Sequence, residues 1–203
     1  MTDRLPPTRD GIARAASILA GGGVVAFPTD TVYGVAVAAS RSDRLEALFE
    51  LKRRPADKQI PMLVAGLDQV SGAGWLVEER AVALAERFWP GPLTLVLGGA
   101  AGPSGSTQGF RVPDHPVALA LIRAAGPLLA TSANISGEPD TLDAQDVLVA
   151  FATQQDGLAA VVDGGRVPGG APSTVVDLTV NPARILRAGP VTVDDLAAAI
   201  DVA

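Results

Sequence analysis

The segment VVAFPTDTVYGVA, residues 24–36, joins a short apolar run to a cluster of polar side chains. The run Val24–Phe27 is typical of a buried strand. Three hydroxyl side chains and one carboxylate then follow within five residues, between Pro28 and Gly34. Because strand ends in α/β folds open onto ligand crevices, this cluster is a candidate binding turn.

Helix and strand patterns alternate along the rest of the chain. Thr8 is a suitable N-cap for a helix to Ala20, with Ile12, Ala15, Ala16 and Leu19 on one face. Further helices are predicted near 42–53, 77–88, 117–122, 144–152 and from 193. Strands are predicted near 61–65, 93–97, 110–112, 128–130, 159–162, 174–178 and 185–187. This alternation predicts an α/β protein with a mixed sheet in one domain, residues 1–203.

The composition excludes several classes of protein. The chain is 48% hydrophobic with mean hydropathy +0.30, enough for a sizeable core, so disorder is expected only at the first residues and in a loop. A net charge of -6 excludes a generally basic nucleic-acid surface. The absence of Cys excludes thiolate catalysis, and a single His excludes a His-based metal cluster. Neither a signal peptide nor a membrane span is predicted, so the expected location is cytoplasmic.

Both lysines of the chain lie in KRRPADK, residues 52–58, although Lys and Arg together number 16. A chain that otherwise uses Arg would keep Lys where a compact point charge is needed, as on a phosphate. The alternative is a solvated helix end whose basic side chains complement the helix dipole. The spacing alone leaves both interpretations open.

Two further polar segments adjoin predicted strands. TSANISGEP, residues 131–139, follows a strand, and APSTVVDLT, residues 171–179, begins one. Each could be a simple capping turn. The Gly-rich segment DGGRVPGG, residues 163–170, could form a lid over a site. His115, beside two prolines, is interpreted as a turn residue rather than a catalytic base.

Familiar phosphate-binding loops are missing from the sequence. GGAAGPSG lacks the GK[ST] of a P-loop, and no G-x-G-x-x-G stands between a strand and a helix. A bound nucleotide would therefore be held by Arg, Lys and hydroxyl groups.

Seven segments occur together in a fixed order. They are FPTDTVYG, KRRPADKQIPM, WPGPLTLVL, RVPDHP, TSANISGEP, STVVDLT and ILRAG. In this combination the chain resembles the YrdC-like family, the threonylcarbamoyl-AMP synthases, from about Val24 to Gly189. It looks like the short bacterial form of that family.

The resemblance implies a twisted mixed sheet flanked by helices around a deep, positively lined cavity. The implied activity is that of a nucleotidyltransferase, L-threonylcarbamoyladenylate synthase. It would convert L-threonine, bicarbonate and ATP to threonylcarbamoyl-AMP and diphosphate. The product would pass to a tRNA-modifying transferase complex that makes threonylcarbamoyladenosine. The protein itself would bind RNA weakly and would not contact a membrane.

The resemblance also implies roles for individual residues. Lys52 and Arg54 match catalytic positions. Thr31, Arg111, Ser132 and Ser173 match contacts to L-threonine. Arg54, Lys58, Thr107, Asn134 and Arg187 match contacts to ATP. Mg²⁺ is expected with the nucleotide, without a dedicated protein metal site.

The chain departs from the family pattern at two positions. Many relatives have His where this chain has Leu63, and that His contacts threonine. Many also have Ser-Pro-Thr, with the Thr touching nucleotide, where this chain reads Asp140-Thr141-Leu142.

Two other functions fit some of these features. The basic segment 52–58 would suit an RNA-binding module without catalysis, but net charge -6 and 4% aromatic residues argue against it. A related carbamoyl-adenylate chemistry with another carbamoyl source is the closer alternative, although the large proteins that perform it carry further domains.

Overall fold

The computed structural model describes residues 2–53, 59–99, 105–154 and 157–202. Within these residues the strands are β1 Asp3–Leu5, β2 Val25–Phe27, β3 Gly34–Ala38, β4 Met62–Leu63, β5 Leu93–Gly98, β6 Thr107–Arg111, β7 Leu128–Ser132, β8 Ala160–Val162, β9 Thr174–Asp177 and β10 Arg184–Arg187. The α-helices are α1 Arg9–Ala20, α2 Leu45–Lys52, α3 Leu67–Gly72, α4 Glu79–Phe88, α5 Pro116–Ala125, α6 Ala144–Ala150 and α7 Val193–Ala197. Two 3-10 helices cover Ala39–Arg44 and Ala152–Gln154.

The chain divides into two compact units. The first unit comprises Met1–Ile60 and His115–Gly170, and the second comprises Pro61–Asp114 and Ala171–Ala203. Each contains parallel and antiparallel strand pairs together with helices. The predicted α/β class with a mixed sheet flanked by helices is therefore confirmed, while the single domain stays a prediction.

The strands of the first unit follow the order β1-β8-β2-β3-β7. The β8 strand pairs in parallel with β1 and β2, whereas β3 pairs antiparallel with β2 and β7. Gly34 is the partner of Phe27 on one side and of Ser132 on the other. The turn after β2 and the turn after β7 therefore leave the sheet at the same edge.

The strands of the second unit follow the order β4-β6-β5-β9-β10. Leu63 of β4 is the register partner of Arg111, and Leu93 of β5 is the partner of Thr174. Arg187, at the end of β10, pairs with Val175. This topology brings the end of β6, the start of β9 and the end of β10 to one edge of the sheet.

Helix α1 shows how the sequence pattern sets the core of the first unit. The Thr8 side chain accepts a hydrogen bond from the Gly11 N–H at 3.3 Å and caps the helix. The four apolar side chains predicted on its inner face, Ile12, Ala15, Ala16 and Leu19, are all buried. None of the helices in the described residues has the length and apolar content needed to cross a membrane.

Three of the strands differ from the sequence prediction. The first residues are ordered as β1, which pairs with β8 although two of its three side chains are charged and exposed. The segment GVAVA forms β3, buried along its whole length and therefore without the alternation that marks a half-exposed strand. Strand β6 begins at Thr107, three residues before the strand predicted near 110–112.

Candidate functional site

In the first unit, the turn after β2 is organised by the buried hydroxyl of Thr29. Its Oγ1 donates to the carbonyl oxygen of Val32 at 2.6 Å and accepts from the N–H of Thr31 at 3.2 Å. The hydroxyls of Thr29 and Thr31 are also 3.2 Å apart. The side chain of Thr31, predicted to contact threonine, is thus held by its neighbour.

The turn after β7 is organised by Lys52, the last residue of α2. This side chain is only 2% exposed. Its ammonium group donates to the carbonyl oxygen of Ser132, to that of Asn134 at 2.7 Å and to Asn134 Oδ1 at 3.3 Å. The return contact is a bond of 3.1 Å from the Ser136 N–H to the Lys52 carbonyl. Lys52 therefore joins the end of α2 to the turn that carries two predicted ligand contacts.

The side chains of Ser132 and Asn134 are also bonded to each other. Ser132 Oγ donates to Asn134 Oδ1 at 2.7 Å, and Asn134 Nδ2 donates to the Glu138 carbonyl at 2.6 Å. We call the polar groups at this edge of the first unit the hydroxyl cluster. Its members are Thr29, Thr31, Lys52, Ser132 and Asn134.

The burial of Lys52 bears on the two interpretations of the basic segment. A solvated helix end is wrong for this lysine, because its charge is inside the protein and solvated by carbonyl oxygens. The predicted catalytic contact of Lys52 stays a prediction. Arg54 and Lys58, predicted to contact ATP, lie outside the described residues.

Tyr33 ties the first half of the Gly-rich segment to the hydroxyl cluster. Its buried hydroxyl donates to the Gly165 carbonyl at 2.7 Å and accepts from the Gly164 N–H at 3.2 Å. Burial, together with the nearby charges of Asp163 and Asp143, raises the pKa of Tyr33 to about 12. The lid predicted for this segment would thus have Tyr33 as an anchor.

In the second unit, Arg187 and Ser173 form the centre of another polar cluster. The Arg187 guanidinium donates to the Ser173 carbonyl from Nε at 3.0 Å and from Nη2 at 2.8 Å. Nη2 also lies 3.0 Å from Ser173 Oγ, which is 2.8 Å from the hydroxyl of Thr94. Arg111 is held by a 3.0 Å bond from its Nε to the Gly91 carbonyl. We call Arg111, Arg187, Ser173 and Thr94 the guanidinium cluster.

The two guanidinium groups of this cluster repel each other. Burial, and then the positive charge of Arg111, lower the pKa of Arg187 below its usual value. An anion bound beside them would relieve this repulsion, and a planar fork of donors suits carboxylate or phosphate oxygens. The chemistry of this cluster therefore suits an anionic group.

Gly189 permits the close approach that places Arg187 on Ser173. A Cβ atom at this position would lie 2.5 Å from both the Pro172 carbonyl oxygen and the Thr174 nitrogen. Both are backbone atoms, which cannot move aside as a flexible side chain can. Steric crowding by the backbone therefore explains why the ILRAG segment has a glycine at this position.

The two departures from the family pattern lie beside these clusters. Leu63, where many relatives have His, is buried and pairs with Arg111 in the sheet register. Leu142 lines a cavity of about 620 Å³ in the first unit. Arg53 and Arg166 share its wall with acidic side chains, so this cavity is mixed in charge. Its other lining residues include Glu138, Asp140, Asp146 and Gln154.

Two further residues singled out in the sequence, Thr107 and His115, belong to neither cluster. Thr107 begins β6, four residues before Arg111 and therefore roughly 13 Å along the strand from it. Its ATP contact stays a prediction. His115 caps α5, because its Nδ1 accepts from the Val117 N–H at 3.3 Å. That contact agrees with the turn role predicted for it.

Thr29 and Thr94 were not among the predicted site residues. Each is buried and bonded to a predicted threonine contact, Thr29 to Thr31 and Thr94 to Ser173. A signal for Thr94 is present in the sequence, since it is the one polar residue in the apolar strand LTLVL. Thr29 is hidden among the other hydroxyls of its turn.

The fold and these clusters define a class of protein: an α/β protein that presents hydroxyl and guanidinium groups at strand ends. The family model described as Telomere recombination, Sua5/YciO/YrdC, matches residues 17–189. The chain belongs to this family.

Relatives named threonylcarbamoyl-AMP synthase match most of the chain. A threonylcarbamoyl-AMP synthase of Bacillus subtilis is 39% identical over 209 residues, which include 98% of this chain and 59% of that protein. A threonylcarbamoyl-AMP synthase of Cellvibrio japonicus is 33% identical over 81% of this chain and 89% of its own length. The crystal structure of Pyrococcus abyssi Sua5 complexed with L-threonine is 35% identical with a TM-score of 0.87, covering 100% of this chain and 62% of that one. The chain therefore spans about three fifths of some relatives and most of others.

Proposed function

We propose that the protein is an L-threonylcarbamoyladenylate synthase, a nucleotidyltransferase that uses L-threonine, bicarbonate and ATP. The observation that carries the proposal is the guanidinium cluster, where Arg187 is held on Ser173 by bonds of 2.8 and 3.0 Å and Arg111 is held on the Gly91 carbonyl at 3.0 Å. Two guanidinium groups in one cluster suit an anionic ligand, and both the amino acid and the nucleotide supply one. The names of the relatives support this enzyme rather than an RNA-binding module.

The residue assignments follow the resemblance to the family. L-Threonine is assigned to Thr31, Arg111, Ser132 and Ser173. ATP is assigned to Arg54, Lys58, Thr107, Asn134 and Arg187, and Lys52 and Arg54 are assigned to catalysis. The Arg111 fork suits the threonine carboxylate.

The reaction needs no covalent intermediate with the protein. The threonine amine adds to bicarbonate, and loss of water gives a carbamate. A carbamate oxygen then bonds to the α-phosphorus of ATP while the bond from this phosphorus to the bridging oxygen breaks, and diphosphate leaves. The protein would hold the reactants in line and offset the phosphate charge with Arg and Lys side chains.

Mg²⁺ enters this scheme as part of the nucleotide substrate. In the described part of the chain, no group of three or more His, Asp or Glu side chains could hold a metal ion. We propose that the phosphates would carry the ion, as is general in nucleotide transfer. The labile adenylate would pass to a tRNA-modifying transferase complex in the cytoplasm.

The test is diphosphate release with each substrate omitted in turn. Diphosphate should appear only when ATP, L-threonine and bicarbonate are all present, and mass spectrometry should detect the adenylate. L-Serine should be poorer, since a missing methyl group in a fitted pocket costs about 1–3 kcal/mol. Equal release without threonine would identify a plain ATPase and contradict the proposal.

A further inference from the structure

The hydroxyl proton of Thr29 is committed to a bond within its own turn. A threonine hydroxyl has one proton to donate and two lone pairs that accept. The Thr29 proton is committed to the Val32 carbonyl at 2.6 Å, and one lone pair accepts from the Thr31 N–H. One acceptor position remains on Thr29 Oγ1.

The remaining position fixes the direction of the bond between the two threonine hydroxyls. They lie 3.2 Å apart, and Thr29 has no second proton. Thr31 must therefore donate its hydroxyl proton to Thr29. With this proton turned inward, the lone pairs of Thr31 Oγ1 face away from Thr29, and Thr31 can only accept hydrogen bonds from a ligand.

We infer that Thr29 is a positioning residue that makes Thr31 a hydrogen-bond acceptor for the amino acid substrate. This inference rests on the proposed function, because it requires L-threonine as the ligand. The ligand group at Thr31 is then a donor, either the amino group or the hydroxyl of L-threonine. A carboxylate, which only accepts, is excluded from this position.

Ser132 has the same arrangement at the neighbouring turn. Its hydroxyl proton is committed to Asn134 Oδ1 at 2.7 Å. Since Ser132 Oγ also accepts from Lys52 Nζ at 3.5 Å, it offers a ligand its other lone pair rather than a proton. Thr31 and Ser132, the two predicted threonine contacts at this edge of the first unit, are thus both hydrogen-bond acceptors toward a ligand. Thr29 sets this direction for Thr31, and Asn134 sets it for Ser132.

The decisive experiment is a double-mutant cycle on L-threonine affinity, measured calorimetrically. Thr31→Ala should weaken L-threonine binding about 3- to 10-fold, the range for one net hydrogen bond. Thr29→Ala should weaken it similarly and leave ATP affinity within about 2-fold. In the Thr31→Ala background, Thr29→Ala should add almost nothing, because it acts through Thr31. Thr29→Ser, which keeps the hydroxyl, should restore affinity.

Thr2→Ala is the matched control. It removes a threonine hydroxyl that bonds to a backbone carbonyl in the same unit, at 2.9 Å from Leu158, but away from the turn. L-Threonine affinity should be unchanged in this variant. Circular dichroism checks that each variant is folded, and Thr29→Ser tests the inference if Thr29→Ala is not.

The affinity for L-valine, in which a methyl group replaces the hydroxyl, shows which group of the ligand donates to Thr31. If Thr31 accepts from the ligand hydroxyl, the preference for threonine over valine should shrink in Thr31→Ala and Thr29→Ala alike. If it accepts from the amino group, both ligands should weaken equally. Unchanged threonine affinity in folded Thr29→Ala, or additive losses in the cycle, would overturn the inference. Absence of threonine binding in the unmodified protein would instead overturn the proposed function.

Discussion

The hydroxyl cluster and the guanidinium cluster both lie at strand ends, but they present opposite hydrogen-bonding groups. The first presents acceptors and the second presents donors. In the hydroxyl cluster the Lys52 ammonium group is bonded to carbonyl oxygens inside the protein. The hydroxyls of Thr31 and Ser132 direct their protons to neighbouring residues, which leaves their lone pairs for a ligand. In the guanidinium cluster the cationic side chains are partly held by carbonyl groups while their charges still act on each other. Under the proposed function, the first arrangement would select ligand groups that donate hydrogen bonds, whereas the second would attract anions.

The largest expected difference between the clusters is in folding stability. Lys52→Met removes a buried ammonium group and leaves the Ser132 and Asn134 carbonyls without a donor. Because each of the two unsatisfied buried acceptors costs about 1–3 kcal/mol, we expect a loss of about 2–6 kcal/mol in the free energy of unfolding. Urea denaturation measures this change.

Arg123→Met is the control for Lys52→Met, because it removes an exposed cation from α5 and should cost within about 0.5 kcal/mol. Equal stability of the two variants would mean that the Lys52 contacts contribute nothing net. The hydroxyl cluster would then not be held together by this charge.

A smaller effect is expected on ligand affinity in the guanidinium cluster. Arg111→Lys keeps the charge but removes the planar fork, so it should weaken L-threonine binding by about 1.5–3 kcal/mol, roughly one to two decades. ATP affinity should change much less. Calorimetric titration of each ligand measures both, and Arg123→Lys serves as the exposed control.

Two other outcomes for Arg111→Lys would change the role assigned to the guanidinium cluster. Unchanged threonine affinity would give Arg111 a structural role through its bond to the Gly91 carbonyl. Equal losses for both ligands would mean that the cluster recognises negative charge in general and does not read a carboxylate.

The positions of both clusters could be predicted because polar groups follow or precede apolar strands in the sequence. The bonds inside them could not. Lys52 meets Ser132 across 80 residues, and Thr94 meets Ser173 across 79, so neither pair leaves a local pattern. The rarity of lysine did single out Lys52, yet composition cannot tell a charge solvated by carbonyl groups from one that faces a phosphate. The strand β3 was missed because its continuous run of small apolar residues lacks a period.

The smallest predicted effect concerns Tyr33, which bonds the Gly-rich segment to the turn of the hydroxyl cluster. It is the only tyrosine of the chain, so the absorbance of tyrosinate near 295 nm reports this residue alone. In the folded protein it should titrate with a pKa of about 12, against about 10 when unfolded.

The raised pKa of Tyr33 predicts the direction of a pH effect on stability. Since the folded state favours the protonated hydroxyl, this contribution is complete below pH 10 and is lost as the pH rises from 10 to 12. At pH 11 the loss should be about 1.4 kcal/mol. Tyr33→Phe, which cannot ionise, should lack this part of the pH dependence when both proteins are unfolded in urea between pH 9 and 11. A tyrosinate midpoint near 10 in the folded protein would mean that the hydroxyl opens to solvent. The hydrogen bonds between Tyr33 and Gly164–Gly165 would then be too weak to anchor the Gly-rich segment.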